Sequence, residues 1–133
     1  MFESTAEINT VLVIEDEEVG RYLANSLLKK MGIGKQIVEA NNGQEALNLL
    51  RKLCSDENCP ELILLDIKMP VMDGFEFLTE LDKSTDIDIS GSKVIILSSS
   101  ASPKDLEKAR NFAYTTYMHK PLTREKLQQA LSI

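Results

Sequence analysis

Three short apolar runs, TVLVI at Thr10–Ile14, ELILL at 61–65 and KVIIL at 93–97, are continuous instead of alternating, and each gives way to a polar residue. A strand with one wet face alternates apolar and polar side chains. A run that is apolar throughout has to be covered on both faces, the condition of a strand inside a parallel sheet. Two further segments with β-branched or aromatic residues, QIVEA at Gln36–Ala40 and TTYMH at Thr115–His119, bring the expected strands to five.

Segments of helical periodicity separate these strands. The first, at 17–31, repeats Val19, Leu23, Leu27 and Met31 every fourth residue, opens on acids that suit a helix N-terminus, and stops at Gly32. The second, at 43–53, places Ala46, Leu49, Leu50 and Leu53 on one face. The third covers 74–81, with Phe75 and Phe77 on its core side. A fourth begins at Ser102-Pro103, a cap residue followed by proline in the first turn, and a fifth follows Thr123. Strict alternation of strand and helix predicts an α/β fold with one doubly wound parallel sheet and helices on both faces, because parallel neighbours need right-handed crossovers. At 133 residues and 43% apolar, the chain is long enough to bury a core of its own. Residues 1–9 read as an N-terminal tail, 10–133 as one domain, and the polar segment 82–92 (DKSTDIDISGS) as an exposed loop.

Fifteen Lys and Arg against 21 Asp and Glu give a net charge of -6, a sign that repels phosphate backbones and argues against nucleic acid as a partner. No apolar run approaches the roughly 20 residues of a membrane span, and the opening MFESTAEINT lacks the basic-then-apolar order of a secretory leader. A cytoplasmic protein without a membrane partner is expected. Cys54 and Cys59 flank the polar stretch SDEN, a spacing that is neither a zinc nor a redox signature, and one distant His119 cannot complete a metal site. Both cysteines are expected to stay reduced.

In a doubly wound sheet the ligand site lies outside the carboxyl ends of the strands, where the strand order reverses. The residues that follow the strands there are Glu15-Asp16, Asp66, Ser98 and Lys120-Pro121. Carboxylates gathered at short range repel one another unless a hard cation sits among them. Mg2+ suits such a place, because it takes one or two carboxylates, keeps several waters and accepts phosphate oxygens. An aspartate can itself act as a nucleophile, and phosphoryl transfer needs the in-line positioning and charge neutralisation that a cation, a lysine and a hydroxyl supply together.

With the stretch LDIKMPVMDG at 65–74 and with Tyr117, these residues resemble the response-regulator receiver domains of two-component signalling, and in particular the single-domain chemotaxis type. The resemblance spans about residues 10–133 and implies a flavodoxin-like, three-layer αβα fold with strand order 2-1-3-4-5. It implies that Asp66 is the phosphoacceptor, and that Mg2+, for which Mn2+ can substitute, is bound by the carboxylates of Asp16 and Asp66, by the backbone carbonyl of Lys68 and, through water, by Glu15. Lys120 would contact the phosphoryl group, and the Lys120-Pro121 bond would be cis. Ser98 would hydrogen-bond the phosphoryl group and, with Tyr117, form the switch that answers the new charge. Ser99 and Ser100 adjoin Ser98, and the family pattern selects Ser98, a position held by Ser or Thr. The side chains of Lys68 and Ser100 match positions that tune phosphoryl lifetime. The interval from Asp16 to Asp66 is longer than usual, with the surplus placed at 54–60 (CSDENCP).

The function expected from this pattern is a stand-alone relay. A sensor histidine kinase or histidine phosphotransfer protein donates to Asp66, and a downstream protein is contacted through the face at about 103–131, with no effector domain after the fifth helix. The chain would be no enzyme beyond its own phosphorylation and dephosphorylation. A phosphatase-like hydrolase is the rival class, but the haloacid-dehalogenase pattern wants a second acid where Lys68 stands. A constitutive adaptor is the third, and the filled site positions weigh against it.

Overall fold

The computed structural model describes residues 8–99 and 102–133. Its elements, in chain order, are β1 (Thr10–Ile14), α1 (Glu18–Met31), β2 (Gln36–Ala40), α2 (Gly43–Ser55), β3 (Leu62–Asp66), α3 (Gly74–Lys83), β4 (Lys93–Ser98), α4 (Pro103–Ala109), β5 (Thr115–His119) and α5 (Arg124–Leu131). The strands form one parallel sheet in the order β2-β1-β3-β4-β5, the order expected. Chain direction across the sheet reverses at the β1–β3 neighbours, so the crossovers leave in opposite directions and open a crevice beyond Ile14 and Asp66.

Register explains why the three apolar runs are continuous. Ala40, Ile14, Leu65, Ile96 and Tyr117 lie abreast across the sheet. This row belongs to a core that also holds Phe77, Leu78 and Leu50 from α3 and α2. The alternate residues Val11, Val13, Leu64 and Ile95 turn the other way and meet Leu28 of α1 and Leu127 of α5. Every residue of β1 and β3 is buried, because each strand has a helix layer on both sides. At about 1.5–3 kcal/mol for each large apolar side chain removed from water, these two layers drive folding.

Local signals set the helix ends. Gly32 adopts φ 68° after α1, and the N–H that caps this end reaches back to the carbonyls of Leu28 and Lys29. Asn42 accepts from the Glu45 N–H at the start of α2, and Thr123 accepts from the Lys126 N–H at the start of α5. Asp73 and Glu76 form a reciprocal capping box on α3, which accounts for the aspartate of the Asp73-Gly74 pair.

Three expectations are corrected. Of the stripe Val19, Leu23, Leu27, Met31, only Leu27 and Met31 pack against the core. Val19 and Leu23 are 69% and 61% exposed, whereas Ala24 and Leu28 are buried. A spacing of four overshoots the 3.6-residue turn by about 40° each time, so the stripe rotates off the sheet toward its N-terminal end. Phe77 is fully buried, and Phe75 packs partly buried against the same core, stacked on Phe112 with centroids 6.4 Å apart. The segment after α3 is not wholly exposed, since Ile87 is 7% exposed and plugs the α2–α3 core. Finally, Cys54 and Cys59 are joined in a disulfide with Cα atoms 4.2 Å apart. The turn that ends α2 brings them together: Asn58 N–H reaches the Leu53 carbonyl at 2.8 Å, Glu57 N–H reaches that of Cys54 at 3.1 Å, and Glu57 takes φ 58°.

Gly74 holds the β3–α3 loop against the site strand. A Cβ there would lie 2.7 Å from Ile67 Cα and 3.0 Å from the Asp66 carbonyl oxygen, both backbone atoms that cannot rotate aside. Gly74→Ala is expected to cost about 1–3 kcal/mol by overpacking, read as a lowered urea midpoint. Gly91→Ala, where a Cβ meets nothing within 4 Å, should leave the midpoint unchanged.

Candidate functional site

The crevice at the carboxyl ends of β1 and β3 gathers Glu15, Asp16, Asp66 and Lys120 of the residues singled out from the sequence. Glu15 extends β1 by one step, its N–H donating to the Ala40 carbonyl at 3.0 Å, and turns its side chain inward. Asp66 closes β3. Both are 5% exposed, and Asp16 at the rim is half-buried. One oxygen from each of Glu15, Asp16 and Asp66 lies within 4.8 Å of the others, a donor set of hard oxygens suited to a divalent cation.

Lys120 enters from the far side of the sheet. Its Nζ lies 2.8 Å from Glu15 Oε1 and 3.5 Å from Asp66 Oδ2. The path of its backbone is set by a 2.8 Å bond from Lys120 N–H to the Ser98 carbonyl, and the Lys120-Pro121 bond is cis as expected. Ser98, at the end of β4, is fully buried one position beyond the residue paired with Asp66. Tyr117 is half-buried on β5 abreast of Ile96, its ring edge-on to His119 at 5.7 Å. The backbone of Lys68 adjoins Asp66, with its N–H 3.4 Å from Asp66 Oδ1. Ser100 lies outside the described residues.

Three carboxylates against one ammonium leave an excess of negative charge in a largely buried crevice, and the acidities follow from it. Burial, reinforced by hydrogen bonding to Glu15 and by its charge, pushes Asp66 up to about 7. Burial also pushes Glu15 up, but hydrogen bonds with Asp66 and Lys120 outweigh it and hold Glu15 below the usual carboxylate range. Asp16 is raised by burial and by Glu15. Burial lowers Lys120, but the hydrogen bond to Glu15 and the charges of Asp66 and Glu15 overcome this and raise it, so it stays an ammonium. A proton on Asp66 relieves the repulsion when no cation is bound, and a divalent cation would relieve it by displacing that proton.

Three positioning residues carried no legible signal. Gly20 makes room for Glu15, since a Cβ there would lie 2.6 Å from Glu15 Oε1. Arg21 donates to the Glu15 carbonyl at 2.9 Å while pairing with Glu39 at 3.6 Å, which ties the acidic loop to β2. Lys126 bridges the carbonyls of His119 and Pro121 at 2.8 and 3.0 Å and braces the loop that presents Lys120. A helical glycine, arginine and lysine look ordinary until the fold shows what they face. Beside the site a cavity of about 460 Å³ opens between α1 and the β5–α5 loop, lined by Leu23, Ala24, Leu97 and Leu122 together with Glu15 and Asp66.

Residues 11–132 match the sequence profile of the response regulator receiver domain. The chain is 35% identical over 118 residues to the two-component response regulator ORR41 of Oryza sativa subsp. japonica, a match that covers 88% of this chain and 87% of that protein. It is 32% identical over 117 residues to the sensor histidine kinase CheAY of Helicobacter pylori, covering 88% of this chain but 14% of that much longer protein. Among solved structures, a two-component response regulator from Cytophaga hutchinsonii superposes with a TM-score of 0.86 at 28% identity, covering 94% of this chain and 95% of that one. Five strands in the order 2-1-3-4-5, an acidic crevice at the turning point and a matching sequence profile agree: the chain belongs to the response regulator receiver domain family of two-component signal transduction.

Proposed function

We propose that this receiver domain accepts a phosphoryl group on Asp66 from a phosphohistidine of a sensor histidine kinase or histidine phosphotransfer protein, and signals by phosphorylation-dependent protein contact. The observation that carries the reading is the convergence of Glu15, Asp16 and Asp66 within 4.8 Å, with the Lys120 ammonium 3.5 Å from the acceptor carboxylate. Asp66 alone could be a buried acid at a strand end. Asp66 with two acids and a lysine is a donor set suited to a dication and an anion together.

In this reading an oxygen of Asp66 attacks phosphorus and the histidine nitrogen leaves, forming an acyl phosphate on β3. Asp16 and Asp66, the Lys68 carbonyl and, through water, Glu15 would hold Mg2+, or Mn2+ in its place; when bound, the ion supplies charge neutralisation to the phosphoryl oxygens. Lys120 exchanges its contact with Glu15 for one with a phosphoryl oxygen. The Ser98 hydroxyl donates to another. The Ser98–Tyr117 pair answers that contact and changes the α4–β5–α5 surface, where a downstream protein binds. The acidic surface makes nucleic acid a poor partner. A cytoplasmic site of action fits this role, and among the described residues no helix is long and apolar enough to cross a membrane.

Acetyl phosphate with Mg2+ should add one phosphoryl group to the protein by intact mass, and Asp66→Asn should abolish the gain. Rapid multiple turnover of unrelated phosphate esters, or a label that survives Asp66→Asn, would overturn the reading. Lys120→Met should slow labelling while leaving the protein folded by circular dichroism, since it removes the cation opposite the incoming anion.

The acidity of Asp66 sets a pH dependence. Its folded-state value of about 7 stands above the ordinary 3.8, so the folded chain binds this proton more tightly than the unfolded one. Stabilisation from that group is complete below about pH 4 and is lost as pH rises through 7. In metal-free buffer, the difference in urea midpoint between Asp66→Asn and the parent should widen in favour of Asn over that interval. Mg2+ competes with the same proton, so its affinity, followed by calorimetry, should rise with pH across the window around 7.

A further inference from the structure

We propose that Cys54 and Cys59 are a reversible dithiol–disulfide pair, closed and opened by thiol–disulfide exchange with a low-molecular-weight thiol, that governs the last turn of α2 at the end of the sheet opposite Asp66. The two Cα atoms are 4.2 Å apart in the bridged form, and the turn at Glu57 that brings them together carries backbone hydrogen bonds of its own, from Glu57 N–H to the Cys54 carbonyl and from Asn58 N–H to the Leu53 carbonyl. Both residues are half-buried, within reach of a small thiol, and the intervening Ser55, Asp56 and Glu57 are exposed.

The loop does not depend on the sulfur bond for its place. Thr10 Oγ1 donates to Asn58 Oδ1 at 2.7 Å, and Asn58 Nδ2 donates to Gln36 Oε1 at 3.0 Å. The Glu61 carboxylate accepts from the N–H groups of Asn9 and Thr10, each at 2.9 Å, and Ser92 Oγ donates to the Pro60 carbonyl at 2.6 Å. These bonds hold residues 58–61 against β1, β2 and the start of β4 whichever form the cysteines take. Opening the bridge therefore frees α2's last turn, where Cys54 packs on the core, without detaching β3. The rise along β3 from Leu62 to Asp66 is about 13 Å, which separates this corner from the phosphoacceptor.

The exchange balances in two steps. One cysteine thiolate attacks a sulfur of glutathione disulfide, displacing one glutathione thiolate and leaving a mixed disulfide. The second cysteine sulfur then attacks the protein-side sulfur of that intermediate and displaces the other glutathione. Two electrons pass from the cysteines to the glutathione disulfide, and the two protons end on the two released thiols.

The full chain, equilibrated in glutathione buffers of graded oxidised-to-reduced ratio and quenched with N-ethylmaleimide, tests this by intact mass. Expected are two populations that interconvert with the ratio, one carrying two maleimides and one bridged and unlabelled. Cys54→Ser and Cys59→Ser should each instead accumulate one glutathione adduct. On reduction, hydrogen exchange at the Glu57 and Asn58 amides should accelerate while β3 stays protected. Two free thiols across the whole series, a bridge that persists in the most reducing buffer, a glutathione adduct as the end product of the parent chain, or loss of β3 protection would each overturn the proposal.

Discussion

β3 is enclosed on all sides. β1 and β4 occupy its two edges, and both helix layers cover its faces, so its four leading residues have only apolar surroundings. Asp66 is where that burial ends, and its charge emerges into a crevice already holding Glu15 and, at the rim, Asp16. Everything distinctive about the site follows from this constraint. A carboxylate on a solvated loop would have no reason to hold a proton to about 7. One at the end of a fully buried strand, beside a second buried acid, does.

The crevice is an unfavourable arrangement maintained by favourable ones elsewhere. Two buried carboxylates share one lysine whose own backbone is tied to Ser98 and whose loop is braced by Lys126. Arg21 fixes the acidic turn from the opposite flank. The apolar layers supply the stability, and the site spends part of it to keep like charges within a few ångströms. A site so arranged favours whatever neutralises its excess negative charge.

Local chemistry made some features legible in advance. The capping residues Asn42 and Thr123 act through bonds to N–H groups three residues on, and these depend only on neighbouring sequence. Errors arose where a side chain's surroundings come from distant segments. Ile87, isolated in a polar stretch, is buried because the chain after α3 folds back over the α2–α3 core. Cys54 and Cys59 are a local exception: their spacing is no recognised motif, and the left-handed turn at Glu57 between them closes the distance.

The sequence by itself determined the sheet and which polar residues stand at the carboxyl ends of its strands. Continuous apolar runs require burial on both faces, and a parallel doubly wound sheet then delivers the residues after each strand, Glu15, Asp16, Asp66, Ser98 and Lys120, to one edge. Tertiary structure alone decided which face of α1 is buried and the roles of Gly20, Arg21 and Lys126. Periodicity and strand ends are properties of neighbouring residues and can be read along the chain. A contact between Arg21 and the Glu15 carbonyl, or between Lys126 and two carbonyls of the preceding loop, exists only once the crossovers have set the angles at which helices meet the sheet.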